Sequence, residues 1–324
     1  MSVVFAQVLL NQRLTLVLGL NLFAVYSINT MLSTLLPSVD AEFGLLPFFT
    51  GLLISAYGWS YAAMQIPVGI MSDRFEPKKL VLFSMSLFFL TAVGFSFSTN
   101  PFSLLISRLV MGIAASFIYV VGLKAIELYY DHSEKGRAMG VYTSIGLLGI
   151  AIINSIVPRA LQIGLGWRTI YETTSLIAIV TIIVSLILMP SDIIRKSHEK
   201  SAQIAINDTK KRGALLELLE ICRNGQLWIQ NVIGCIYWGT VVGLLFWLPS
   251  FFEHQGFGLE YGGIAISLMG IGTIFGYPIA GSLIDKMGKK NPILRYFQIG
   301  YAILLAGLII APPIDVLKRF TNNV

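Results

Sequence analysis

Nine stretches of this chain run for about 20 residues or more with almost no charge: residues 14–36, 48–71, 79–98, 102–128, 138–160, 168–189, 227–250, 262–284 and 293–313. That length matches one particular solvent. The hydrocarbon layer of a bilayer is about 30 Å thick and an α-helix rises about 1.5 Å per residue, so roughly 20 apolar residues cross it. The runs do not alternate polar with apolar residues, as the strands of a membrane barrel must. Only 12% of the 324 residues are charged and mean hydropathy is +0.75. Soluble domains carry about 25% charged residues, and a water-facing fold could not hide this much apolar surface. The expected fold is all-α: a polytopic membrane protein with about nine transmembrane helices.

Pro67, Pro158, Pro249 and Pro278 fall near span ends. The opening "MSVVFAQVLLNQR" lacks a basic start and a small-residue cleavage pattern, so no signal peptide is expected.

Lys and Arg set the expected orientation. With the N-terminus in the cytoplasm, inside segments hold 17 of the 23 basic residues, from Arg13 through the Arg74, Lys78, Lys79 cluster to Lys286, Lys289, Lys290 and Arg295. Outside segments hold Arg159, Arg168, Lys318 and Arg319, while Arg108 and Lys124 lie within span 4. This asymmetry places the basic loops inside, in a cytoplasmic membrane. The net charge of +6 then reflects loops beside anionic lipid, not a nucleic-acid surface.

One long polar segment, residues 191–226, separates six spans from three. The expected organisation is a six-helix half over 1–190, a cytoplasmic linker over 191–226 and a partial second half over 227–324. Within the linker, "GALLELLEIC" has helical periodicity and suits either a membrane-surface helix or a plain linker helix.

Two loops share a plan. "GIMSDRFEPKK", Gly69 to Lys79, closes span 2; "GSLIDKMGKK", Gly281 to Lys290, closes span 8. Gly69 and Asp73 are four apart, as are Gly281 and Asp285, so each pair shares a helix face. Glycine admits a second helix backbone at close range. The aspartate can then accept from the bare N–H groups at a neighbouring helix start. Arg74 and Lys286 follow directly. One copy alone reads equally well as a polar turn with inside charges; two at matching positions indicate an internal repeat, as in many transporters.

On these residues the chain resembles the major facilitator superfamily. "SRLVMGIAAS", with Arg108, Gly112, Ala114 and Ala115, resembles the family's span-4 pattern. "EKGRAMG", Glu134 to Gly140, resembles its loop before span 5, and "GWR", Gly166 to Arg168, its entry to span 6. The resemblance implies two six-helix bundles around a central cavity, exposing a solute site to each side in turn. It implies that Asp285 meets the start of span 5 near Gly136 to Met139. It also implies that Arg137 bridges to Asp73, and that Asp73 meets the start of an eleventh span. The family has twelve spans and this sequence carries nine. A fragment, a truncated product and a true nine-span variant account for that, in this order of preference.

The implied activity is secondary-active or facilitative transport of a small solute. The competing reading is a transporter-like membrane protein, sensor or remnant, without transport. Arg108 is the leading solute contact. Its charge costs about 2.5–3.5 kcal/mol in a span, so it should face the interior, either as an anchor for an organic anion or bonded to Asn29 or Ser33. Tyr26, Asn29, Tyr57, Tyr61, Tyr237 and Trp238 could line the cavity; each also suits packing or an interface. Lys124 is expected to pair with Glu127, and Arg168 with Glu172. Spans 1, 2, 5, 7 and 8 carry no mid-span acid, and span 5 has Gly146 and Gly149 without a Gly-Pro pair. Both features favour uptake or exchange over drug/proton antiport. Expected partners are lipid, the solute and a coupling proton or ion. No enzyme motif (HExxH, GxSxG or paired intramembrane aspartates) is present. Cys222 and Cys235, and His132, His198 and His254, give no metal spacing, so no cofactor or metal is expected.

Overall fold

Proline, asparagine and glycine set most of the helix ends. The computed structural model describes residues 2–131, 134–190, 223–254, 259–287, 299–300 and 303. Helices α2 (Pro47–Arg74), α3 (Pro77–Ser96) and α4 (Pro101–Tyr129) each begin on a proline at the first helical position, where its fixed φ suits the helix and its missing N–H costs nothing. Asn100 caps α4: its side chain accepts from Ser103 N at 2.9 Å. Helix α1 (Ser2–Phe43) turns into α2 at Gly44, and α5 (Lys135–Gln162) into α6 (Trp167–Leu188) at Gly164. Both glycines have positive φ, 60° and 87°, a region costly for any residue with a Cβ. Helices α7 (Gly225–His254) and α8 (Leu259–Met287) follow.

These eight helices correspond to the first eight expected spans. They run past the apolar limits because a helix continues beyond the hydrocarbon layer; α1 continues through Pro37 to Phe43. Among the described residues, seven helices are long and apolar enough to cross a membrane. The exception, α2, is interrupted by Gly, Ser and Tyr. The expected ninth span, 293–313, lies outside the described residues apart from three positions, and "GALLELLEIC" lies wholly outside them.

The protein is an all-α polytopic membrane protein: a six-helix N-terminal bundle with an incomplete C-terminal bundle beside it. Helix α1 is its axis, packing on α4, α5, α6 and α7; 78% of its apolar stretch is buried, against 11% for α7. Helix α3 packs on α4 and α6, α2 on α4, and α8 on α5 and α7. Outward, Leu176, Val180, Ile183 and Ile187 make one exposed apolar stripe on α6, the three-to-four spacing of a face toward lipid.

Candidate functional site

The two bundles meet along α5 and α8, which run antiparallel in close contact. A Cβ added at Gly281 would stand 2.4 Å from the Gly136 carbonyl oxygen, and one at Gly263, 2.5 Å from that of Asn154. Between these ends Ser144 Oγ donates to the Ile274 carbonyl at 3.1 Å, and the Ser155 and Ser267 hydroxyls bond at 2.7 Å. Small residues are what such backbone proximity requires.

Each residue of α8 named at this contact by glycine or serine has its like in α2. At one constant offset, Gly51 falls on Gly263, Ser55 on Ser267, Gly58 on Gly270, Gly69 on Gly281 and Asp73 on Asp285. The seats differ. Cβ atoms at Gly51, Gly58 and Gly69 would meet nothing within 4 Å among the described residues. Asp285 lies one turn beyond Gly281 in α8; its side chain is outside what the structure describes.

At the end carrying the basic loops, Asp73 forms an ion pair with Lys124 of α4. This corrects the expected Lys124–Glu127 pair: Glu127 reaches Lys135 at 3.7 Å. A cation preceding an acid along a helix is the weaker order, and half-buried Lys124 turns toward α2 instead. Arg74 and Lys286 occupy the last turns of α2 and α8. Arg137, exposed, stands in the first turn of α5 beside the Gly136–Gly281 contact.

Arg108 is fully buried. Its guanidinium lies over the Tyr57 ring at 4.8 Å. Nε faces the Leu53 carbonyl at 3.4 Å and Nη1 the Met111 sulfur at 3.7 Å. Nη2 has no partner among the described residues. Neither expected structural partner is engaged: Ser33 turns to Thr30 and Asn154, and Asn29 holds a buried Oδ1 that is itself unpartnered. Tyr171 hydrogen-bonds the Arg108 side chain, and its hydroxyl lies 3.4 Å from the Ile28 carbonyl.

Tyrosines cluster between the helices around Tyr57. Tyr57 stacks on Tyr61 at 6.1 Å, and Tyr119 lies 6.4 Å from Tyr142. Tyr26 is within electrostatic reach of Tyr61, Tyr119 and Tyr142. Tyr277 of α8 hydrogen-bonds Tyr237 of α7 and reaches toward Tyr119. Trp238 packs edge-on against Tyr237 at 5.8 Å and is 45% exposed. Sequence reading missed Tyr119, Tyr142 and Tyr277, because a tyrosine in an apolar run does not announce which face it takes.

Two polar residues, Asn154 and Glu42, were also missed. Buried Asn154 of α5 accepts from Thr34 at 3.1 Å and Ser33 at 3.4 Å, and donates to Thr30 at 3.3 Å and to the Ile150 carbonyl at 2.9 Å. At the opposite end Arg168 pairs with Glu42, correcting the expected Glu172 partner, and donates to the Ser96 and Ser98 carbonyls at 2.5 and 2.9 Å. Trp167 Nε1 donates to the same Glu42 at 2.6 Å. Glu42 already sits between two donors, which a carboxylate one turn along α6 does not.

Comparison with known proteins agrees with this architecture. The chain is 25% identical over 304 residues to a probable sulfoacetate transporter, SauU, of Cupriavidus necator, covering 90% of this chain and 68% of that one. It is 25% identical over 323 residues to a probable galactarate/D-glucarate transporter, GarP, of Escherichia coli K12, covering 92% and 71%. The crystal structure of a D-xylose-proton symporter superposes with a TM-score of 0.63 at 16% identity, over 85% of this chain and 69% of that one. The chain thus spans about two thirds of the length of each. The pattern defining the Major Facilitator Superfamily matches residues 18–318; with helices seated as its two-bundle plan requires, this chain belongs to that superfamily.

Proposed function

We propose that this chain carries the solute path of a transporter for a small organic anion, working by alternating access across the cytoplasmic membrane with its N-terminus inside. Solute transport itself follows from the superfamily. The anion follows from Arg108. A guanidinium with no exposed surface and an Nη2 without a hydrogen bond is a buried positive charge that the Tyr57 ring, the Leu53 carbonyl and Tyr171 stabilise only in part. Such a charge is costly when unpaired and strongly attractive to an anion that can reach it. Two relatives are a probable sulfoacetate transporter and a probable galactarate/D-glucarate transporter, and both kinds of solute are anions.

The residues take roles in that reading. Arg108 holds the anion, and Tyr26, Asn29, Tyr61 and Trp238 contact the rest of the solute. Gly69, Asp73, Arg74, Arg137, Gly281, Asp285 and Lys286 form the two gates at the basic end. Residues 1–190 and 227–324 move as separate halves joined by the linker 191–226, with the α5–α8 seam as the sliding contact. Solute binding shifts the population between inward and outward forms only as far as its affinity for them differs. A coupling proton or ion fits the D-xylose-proton symporter whose fold this chain shares.

The test is counterflow of labelled carboxylates in proteoliposomes holding the full chain. Arg108→Ala is expected to abolish it and Arg108→Lys to leave a reduced rate. Unchanged counterflow in Arg108→Ala would remove the anion assignment.

A further inference from the structure

The sequence pattern that carries Arg108 also carries Gly112, to which the transport reading gives no role. Gly112 lies four residues further along α4, on the face that Arg108 shares. A Cβ added there would stand 2.2 Å from Ser60 Oγ and 2.3 Å from the Tyr57 carbonyl oxygen of α2. A serine hydroxyl can swing aside, but a backbone carbonyl moves only with its helix. The missing side chain therefore sets how closely α2 lies on α4 at Tyr57. Nearer its ends α2 is tied separately: Thr50 Oγ1 donates to Asp40 at 3.0 Å, and Asp73 pairs with Lys124. Among the described residues α2 packs chiefly on α4, so the Gly112 contact is what seats its middle.

That seat determines what lies over the guanidinium. Arg108 has no exposed surface, and neither have Leu53, Met111 and Tyr171, which touch it. Tyr57 touches it too, with the ring centroid 4.8 Å away, and is partly exposed. Of these four neighbours, Tyr57 alone reaches the accessible surface. The opposite side of the guanidinium is fixed: Tyr171 of α6 stacks on Phe95 at 4.6 Å, and its hydroxyl meets the Ile28 carbonyl at 3.4 Å. The α2 side rests on one close backbone contact. An aromatic face attracts a cation strongly once both are out of water, so the ring steadies the charge while it shields it.

Resting on the anion reading, we propose that Tyr57 is the cover of Arg108 and that Gly112 is the positioning residue that seats it, so that an anion reaches the guanidinium by displacing this ring. The cover is the ring face; the phenol hydroxyl has no part in it. The ring leaves with α2, while Tyr171 stays and keeps the guanidinium aimed.

Phenylglyoxal, a small neutral reagent that couples to guanidinium groups, reads the cover on the purified full chain. Peptide mass spectrometry follows Arg108, with exposed Arg137 as the internal reference. In the wild type Arg108 is expected to react far more slowly than Arg137. Tyr57→Leu and Gly112→Ala are each expected to speed it about tenfold, the loss of one desolvated cation–ring contact. Tyr57→Phe, which keeps the ring, should leave it slow. Adding Gly112→Ala to Tyr57→Leu should lower the melting temperature further without speeding the reaction again, because the ring is already gone; a bundle that is merely loosened would multiply the two rates. Three results overturn the cover: Arg108 reacting as fast as Arg137 in the wild type, no change in Tyr57→Leu, or Tyr57→Phe as fast as Tyr57→Leu. A folded Gly112→Ala with the wild-type rate, or multiplied rates in the double variant, overturns the seat. The two Tyr57 variants decide the cover whether or not Gly112→Ala folds. None of these rates needs a solute, so the cover can stand where Arg108→Ala leaves counterflow unchanged, and the anion reading can stand where the cover falls.

Discussion

Gly281 of α8 rests on the backbone of Gly136 in α5, so close that a methyl group at position 281 would stand 2.4 Å from the Gly136 carbonyl oxygen. The matching glycine of α2, Gly69, has nothing within 4 Å of the same point. Gly281→Ala must therefore push two helix backbones apart, and overpacking of this kind costs about 1–3 kcal/mol. Gly69→Ala should be neutral in packing. Thermal melts of the two variants in detergent check the contrast: a clear drop for Gly281→Ala and little change for Gly69→Ala. Equal melting temperatures would mean that the α5–α8 seam is looser than described.

Arg168 joins three helices at the end away from the basic loops. It meets Glu42 of α1 and the two carbonyls that close α3, while Trp167 meets the same Glu42. The ion pair is partly open, with 34% and 42% of the side chains exposed, so the charge alone contributes about 0–1 kcal/mol. The carbonyl bonds add to it. Arg168→Ala should thus destabilise more than Glu42→Gln, which keeps an acceptor for Trp167. The order of the two melting temperatures is the readout, and a larger loss for Glu42→Gln would contradict the geometry.

The spans were legible because lipid imposes a length that no soluble core requires. The paired loops were legible because a glycine and an aspartate recur in one spacing above a basic cluster. The partners of charged residues were not. Nearest-neighbour reasoning joined Lys124 to Glu127 and Arg168 to Glu172, whereas the fold supplies Asp73 and Glu42 from helices far away in sequence. The offset that matches Gly51, Ser55 and Gly58 to Gly263, Ser267 and Gly270 was present throughout. Small residues within an apolar run gain meaning only when a second helix is seen lying on one copy of them. The interior tyrosines were half legible: Tyr26, Tyr61 and Tyr237 were named from their runs, but helix rotation decides that Tyr119, Tyr142 and Tyr277 stand near them.

Asn154 uses both oxygen lone pairs and both amide hydrogens, three of these contacts being to α1. Polar bonds between membrane helices contribute about 0.6 kcal/mol each on average. Asn154→Leu removes all of them and leaves Thr30 and Thr34 buried beside an apolar group. The expected loss is about 2 kcal/mol, with α1 and α5 less tightly joined. Asn154→Gln keeps the chemistry but adds a methylene, so it should fall between wild type and Asn154→Leu. A leucine variant that melts with wild type would show that the network is incidental.

Asp73 and Lys124 tie α2 to α4 at the basic end, the acid 68% exposed and the amine 23%. Water screens such a pair, so its stability contribution is about 0–1 kcal/mol; its larger effect should be on the gate. Asp73→Asn leaves Lys124 half-buried without its anion, and Lys124→Gln leaves an acid that solvent can satisfy. The first should therefore slow counterflow more than the second. Exchanging the charges, Asp73→Lys with Lys124→Asp, tests whether the pair acts as a pair. Recovery of rate in the exchanged protein, relative to either single reversal, is the expected result of a double-mutant cycle with real coupling. If the exchange restores nothing while both single neutral variants stay active, the carboxylate at position 73 acts on some group other than Lys124.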